Sequence, residues 1–146
     1  ENPNPNDKQI ALDAIFNEVY NFIFSEHISN ATIISEEEGW VIYLGDSKDP
    51  NTVRIVVFSD PVDGSDVAKT GGVYVSLFQF VVLNKGQTIQ DIDVNRLGLV
   101  EIVLQHSLQP IMLIGMNGGA QKFVLNGRDG ERKFRKHYDV PSILDY

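Results

Sequence analysis

Two aspartates stand three positions apart around a proline in the run Asp60-Pro61-Val62-Asp63-Gly64-Ser65. Carboxylate oxygens of this kind suit a hard divalent cation. Magnesium takes a few protein carboxylates and leaves the rest of its shell to water and substrate phosphate. The neighbours restrict the backbone. Pro61 fixes its own φ and biases Asp60 toward an extended conformation, and Gly64 lets the chain turn where a side chain would clash. Backbone N–H groups after Asp63 can then face a phosphate. Taken alone, the run reads equally as a β-turn with solvated aspartates, because Asp-Pro and Asp-Gly are both frequent in turns.

Two further acidic groups precede it. Glu36-Glu37-Glu38 follows the short apolar run Ile33-Ile34, and strand alternation would send Glu36 and Glu38 one way and Glu37 the other. An isolated Glu triplet also fits a solvated turn. Asp7 and Asp13 are six residues apart, so they do not share one helix face cleanly.

The elements that must position these acids follow from hydrophobic period. From Asp7 to about Ile28 apolar residues fall at Leu12, Ile15, Phe16, Val19 and Ile23, which predicts a helix with that stripe facing a core and Asn6 or Asp7 as N-cap. Short strands are expected at Ala31–Ile34 and Trp40–Leu44, then a turn over Gly45–Thr52. Val53–Phe58 is a continuous β-branched run, expected as a buried strand that ends at the Asp60 corner. Val73–Leu83 reads as a long strand, Asn84–Gly86 as a turn, and Ile89–Ser107 as helix or strand without a deciding signal. Strands are expected at Ile111–Ile114, Lys122–Leu125 and Glu131–His137, the last two joined by a turn at Asn126–Gly130. One helix followed by many strands predicts an α+β domain with a mostly antiparallel sheet packed with helices, and a single domain over 1–146.

Composition limits the function classes. The 146 residues carry 20 acidic and 12 basic side chains, a formal net charge of −8, and 42% hydrophobic residues. That is enough apolar surface for a core, and the wrong sign for nucleic acid or an anionic membrane. A phosphorylated substrate is still allowed where cations reverse the local sign. With no cysteine there is neither a disulfide framework nor a thiol nucleophile. No apolar run is long enough to span a bilayer, no signal peptide is visible, and a cytoplasmic setting is expected.

Taken together, the three acidic segments resemble the metal-dependent, lithium-sensitive phosphatase superfamily that includes fructose-1,6-bisphosphatase and inositol monophosphatase. Asp60-Pro61-Val62-Asp63-Gly64-Ser65 resembles its signature, with Ser65 closer to the fructose-1,6-bisphosphatase branch. Asn6-Asp7-Lys8-Gln9-Ile10-Ala11-Leu12-Asp13 and Ser35-Glu36-Glu37 resemble its two other acidic motifs in order and spacing, and Gln121 to Phe134 resembles the hairpin that follows. The resemblance implies the N-terminal half of the layered sugar phosphatase fold. It implies a Mg2+-dependent phosphomonoesterase, with Mn2+ or Zn2+ as substitutes, that acts on a sugar phosphate through attack of an activated water on phosphorus. Fructose 1,6-bisphosphate 1-phosphatase activity in gluconeogenesis is the first expectation. An inositol monophosphatase-like or nucleotide bisphosphate phosphatase, or a non-catalytic metal-binding or regulatory domain, is the alternative. By residue, it implies Glu36, Asp60, Asp63, the Val62 carbonyl and Asp7 as metal ligands, Glu37 and Asp13 as catalytic carboxylates, and Gly64, Ser65 and Asp66 at the phosphate. It also implies association between copies.

Two departures stand out. Asp66 puts a charge beside the phosphate where the family has a neutral residue, and it should repel substrate unless a metal or Lys69 offsets it. Family members are also roughly twice as long, with a second domain that completes the site; this chain, which begins at Glu1, is expected to be a fragment or a minimal relative. Residues given no functional role are His27 near a helix end, His106 and His137, the Gly115–Gly119 loop, and the basic stretch from Arg128 to Lys136.

Overall fold

The computed structural model describes residues 11–93, 100–116, 119–127 and 132–140. Among them the order is α1 (Ala11–His27), β1 (Ala31–Ser35), β2 (Ile42–Leu44), β3 (Arg54–Asp63), α2 (Ser65–Lys69), β4 (Tyr74–Leu83), a 3-10 turn at Ile89–Asp91, β5 (Val100–His106), β6 (Ile111–Met116), β7 (Gly119–Asn126) and β8 (Lys133–Val140). The strands form an eight-stranded sheet in the order β2-β1-β3-β4-β5-β6-β7-β8. Only the β1–β3 pairing is parallel. The α+β architecture with a mostly antiparallel sheet is therefore as expected.

Helix α1 packs on one face of this sheet, called the back here. Its buried residues are Asp13, Asn17 and Phe24. The expected stripe docks only in part: Phe16 packs on the sheet, but Ile15, Val19 and Ile23 are 56%, 47% and 40% exposed. The reason is aromatic. Phe16, Tyr20 and Phe24 recur every four residues, and their rings meet Tyr74, His106, Phe78 and Phe80 on the sheet with centroids 4.6–5.9 Å apart. The helix is apolar on two sides, and the side with larger rings buries more area per residue. Phe24 joins Ala31, Ile33, Val57 and Phe78 in a buried cluster. Phe22, Tyr43 and Phe134 are exposed rather than core residues.

Several boundaries differ from expectation. Strand β2 starts at Ile42, leaving Trp40 67% exposed. The ambiguous Ile89–Ser107 segment contains the 3-10 turn and β5, whose residues gain strand structure by pairing with β4 and β6. Gly115 and Gly119 are not loop residues but belong to β6 and β7, which pair through Met116 and Gly119. The Asn126–Gly130 turn lies mostly outside the described residues. Strand β3 does not stop at Phe58; it runs on through Asp63, and the unexpected helix α2 starts two residues later.

Candidate metal and phosphate site

Strand β3 pairs with β4 as Asp60↔Leu77 and then Asp63↔Val75, with a shift in register between. Two residues, Pro61 and Val62, thus oppose the single Ser76, which is a β-bulge. Pro61 has no N–H to give the ladder, so a bulge is where a proline inside a strand fits. Its consequence is directional. Residues three apart on a regular strand point to opposite faces. Leu77 and Val75 share a face, so the bulge brings Asp60 and Asp63 onto one face, the front, away from α1.

Glu36 arrives there by another route. Parallel pairing of β1 with β3 ends at Ser35↔Ser59, and the Glu36 amide donates to the Ser59 carbonyl at 2.9 Å. This carries Glu36 to the side of Asp60. The turn that follows is gripped by α1: Asn17 Nδ2 donates to Glu38 Oε1 at 2.6 Å, and Ser35 Oγ donates to Asn17 Oδ1 at 2.8 Å. The Glu37 amide in turn donates to Ser35 Oγ at 3.3 Å. Glu36 and Glu38 therefore do not lie on one side, because the chain leaves the strand at Glu36 and alternation no longer applies.

The electrostatics of the three acids follow. Asp60 is pushed up from the usual 3.8 to about 7, first by burial, then by the charges of Glu36 and Asp63 and by a carboxyl–carboxyl hydrogen bond with Glu36. Asp60 Oδ1 is buried and accepts no hydrogen bond. A carboxylate pair sharing a proton, with a third negative group nearby and an orphaned oxygen, is short of positive charge. A divalent cation fits that deficit. Among the described residues no three Asp, Glu, His or Cys side chains close on one point tightly enough to ligate an ion together. Repulsion reaches further than coordination, and magnesium needs only one or two protein carboxylates, so Glu36 and Asp60 fit it without a closed cage.

Beyond the acids a groove of about 470 Å³ runs over the front face between Ile34, Phe58, Leu77 and Val103. Gln79 and Glu101 also line it, and Asp60, half-buried at its edge, is the acid on which burial acts. Gly64 takes a φ of +91°, a left-handed conformation that disfavours any other residue. It ends β3 and starts α2.

These structural features can be set against solved structures. The chain superposes on the holo form of Leishmania major fructose-1,6-bisphosphatase with a TM-score of 0.73 at 20% identity, over 89% of this chain. Its fold is that of the matched part of the fructose-1,6-bisphosphatase structure. The T-state and apo structures of the same Leishmania major enzyme match at TM-scores of 0.71 and 0.68, each at 19% identity, over 87% and 86% of this chain. The chain spans 41–42% of the length of these structures. No protein-family model matches it, nor does any curated protein sequence.

Of the residues predicted for the site, Glu36 and Asp63 act on Asp60 electrostatically, Glu36 also through a hydrogen bond, without the three closing on one point. Val62 is buried at 4% exposure within the bulge. Asp13 is buried on the same helix side as Asn17, one turn earlier. Glu37 is half-buried in the turn after β1, and Asp66 is exposed in α2. Asp66 is not among the charges acting on Asp60. Asp7 and the side chains of Ser65 and Lys69 lie outside the description. Sequence reasoning missed Asn17, Ser35, Tyr20, Ser76 and His106. Asn17 and Tyr20 were detectable as polar groups interrupting an apolar helix. Ser76 and His106 were not, since their roles depend on strand register.

Proposed function

We infer that this chain carries the metal- and phosphate-binding half of a Mg2+-dependent sugar-phosphate phosphatase, with fructose 1,6-bisphosphate as first substrate. The observation that carries the reading is the β3 bulge. It turns Asp60 and Asp63 to the face where Glu36 stands, and leaves Asp60 Oδ1 with no hydrogen bond.

Glu36, Asp60, Asp63, the Val62 carbonyl and Asp7 would hold the ion. Magnesium bound there supplies positive charge to phosphoryl oxygens and makes water a better nucleophile near neutrality. Burial and the charges of Glu36 and Asp63 raise Asp60 to about 7, and it must be ionised to act as a ligand. Glu37 and Asp13 are assigned to orient the attacking water and take its proton. The Gly64–Ser65 corner is assigned to the scissile phosphate, with Asp66 on its edge. The left-handed Gly64 starts α2, whose Val67 and Ala68 N–H groups donate back to the Gly64 carbonyl, so the phosphate is assigned to the Ser65 and Asp66 N–H groups that precede them. The partner is thus a phosphorylated small molecule, and the cytoplasm the expected compartment. No helix among the described residues is long and apolar enough to cross a membrane.

The test is phosphate release from fructose 1,6-bisphosphate with Mg2+, for the chain and for Asp60→Asn. Loss of a Mg2+-dependent rate in the variant supports the reading; equal rates remove Asp60 from it. A second reading is a metal-binding domain without turnover. Calorimetric Mg2+ binding with no phosphate release would select it.

A further inference from the structure

Behind the bulge, on the α1 side, lies a polar cluster in an otherwise aromatic wall. Ser76 is fully buried, at 0% exposure, and is the residue opposite Pro61 and Val62. Its Oγ donates to the Pro61 carbonyl at 2.6 Å. His106 Nε2 lies 2.8 Å from the same Oγ, and the Tyr20 hydroxyl 3.0 Å from it. A serine hydroxyl has one proton. The Pro61 carbonyl can only accept, so that proton is committed to it. His106 and Tyr20 must then both donate to Ser76 Oγ, which assigns the proton of His106 to Nε2. Burial lowers the pKa of His106 and keeps the ring neutral. The ring is wedged between Tyr74, stacked at 4.7 Å, and Phe16, edge-on at 5.0 Å.

The cluster therefore saturates Ser76, whose oxygen has three partners from three elements: the bulge, β5 and α1. Ordinary ladder bonds cannot hold this segment, because Pro61 lacks an N–H and the register slips there. We propose that Ser76 is the positioning residue of the metal site: it clamps the Pro61 carbonyl, with His106 and Tyr20 locking its hydroxyl, and so fixes the bulge that turns Asp60 and Asp63 to one face. This rests on the reading of those aspartates as metal ligands. Ser76 touches no ion or substrate; it acts from the opposite side of the strand, through the backbone between the two acids.

The experiment is Mg2+ binding by calorimetry, with thermal unfolding of the metal-free protein measured in parallel. Four variants of the full chain are compared: Ser76→Ala, Ser76→Thr, His106→Phe and Val124→Ala. Ser76→Ala should weaken Mg2+ affinity roughly tenfold or more, the range in which partners behind metal ligands act. Ser76→Thr keeps the hydroxyl and should recover most of it. Val124→Ala removes buried volume in β7, three strands from β4, and should lower thermal stability while leaving Mg2+ affinity unchanged. His106→Phe keeps the ring packing and removes the donor, and should weaken affinity by a smaller factor. Unchanged affinity in Ser76→Ala overturns the proposal while leaving the metal site intact. So does equal weakening in Ser76→Ala and Val124→Ala, which would mean that stability alone matters. Should Ser76→Ala not fold, unchanged affinity in His106→Phe overturns the proposal. No Mg2+ binding by the parent chain overturns both this proposal and the reading on which it rests.

Discussion

The two sides of β3 at the bulge differ in how they treat polar atoms. On the back, Ser76, His106 and Tyr20 satisfy one another and the Pro61 carbonyl inside a wall of rings. On the front, on the other side of the same strand, Glu36 and Asp60 meet in a carboxyl–carboxyl hydrogen bond, and the charges of Glu36 and Asp63 both act against ionisation of Asp60. The back stabilises the fold; the front costs it stability. Such a contrast within one strand is what a site built to receive an ion requires, because rigid support on one side keeps the acids from relaxing apart on the other.

The comparison is broken most severely by Asp60→Asn. Mg2+ affinity should fall about a hundredfold or more if the front site needs its carboxylate, and calorimetry reads this directly. Parent-like affinity would mean the front acids are solvated surface. Next in size is the support for the Glu36 turn. Asn17→Ala removes the link to both Ser35 and Glu38, leaves buried polar atoms unpaired, and should lower stability by about 2 kcal/mol in denaturant unfolding.

Opposite signs are expected on the two sides without metal. The folded pKa of Asp60 is above its unfolded value, so its contribution is fully present below about pH 4 and is lost as pH rises through about 7. At pH 8 the charge is a net cost. Asp60→Asn should then raise stability by on the order of 1 kcal/mol, allowing for solvent screening, and the gain should vanish at pH 4. Tyr20→Phe should instead lower stability by about 1 kcal/mol, as one hydrogen bond on the back is lost. Losses in both variants at pH 8 would abolish the distinction between the faces.

The smallest effect is on the acid side. His106 is depressed by burial, so its contribution is present above its ordinary 6.5 and lost as pH falls through the lower folded value. The difference in melting temperature between the parent and His106→Phe should narrow as pH falls below about 6, because the variant has no ring to protonate. A constant difference would place the His106 charge outside the buried cluster.

Read alone, the sequence determined the strand character of Val53–Phe58 and Val73–Leu83, the helix before them and the antiparallel bias of the whole, but not the run of β3 on through Asp63. These are set by local propensity and hydrophobic period. It also singled out Asp60 and Asp63, because acids beside Pro and Gly at a strand end are chemically distinctive at short range, while Glu36 stood out only through the family resemblance of Ser35-Glu36-Glu37. It placed Phe16 of α1 against the core but also Ile15, Val19 and Ile23, which are exposed, since the docking side turns on rings from β4 and β5 that are far away in the chain. Whether Asp60 and Asp63 face the same way was equally beyond it. Two aspartates three apart diverge on a regular strand; only the slip in register against β4, with Ser76 opposite Pro61, makes them converge. Register is a property of two strands at once, and a single strand's sequence does not carry it.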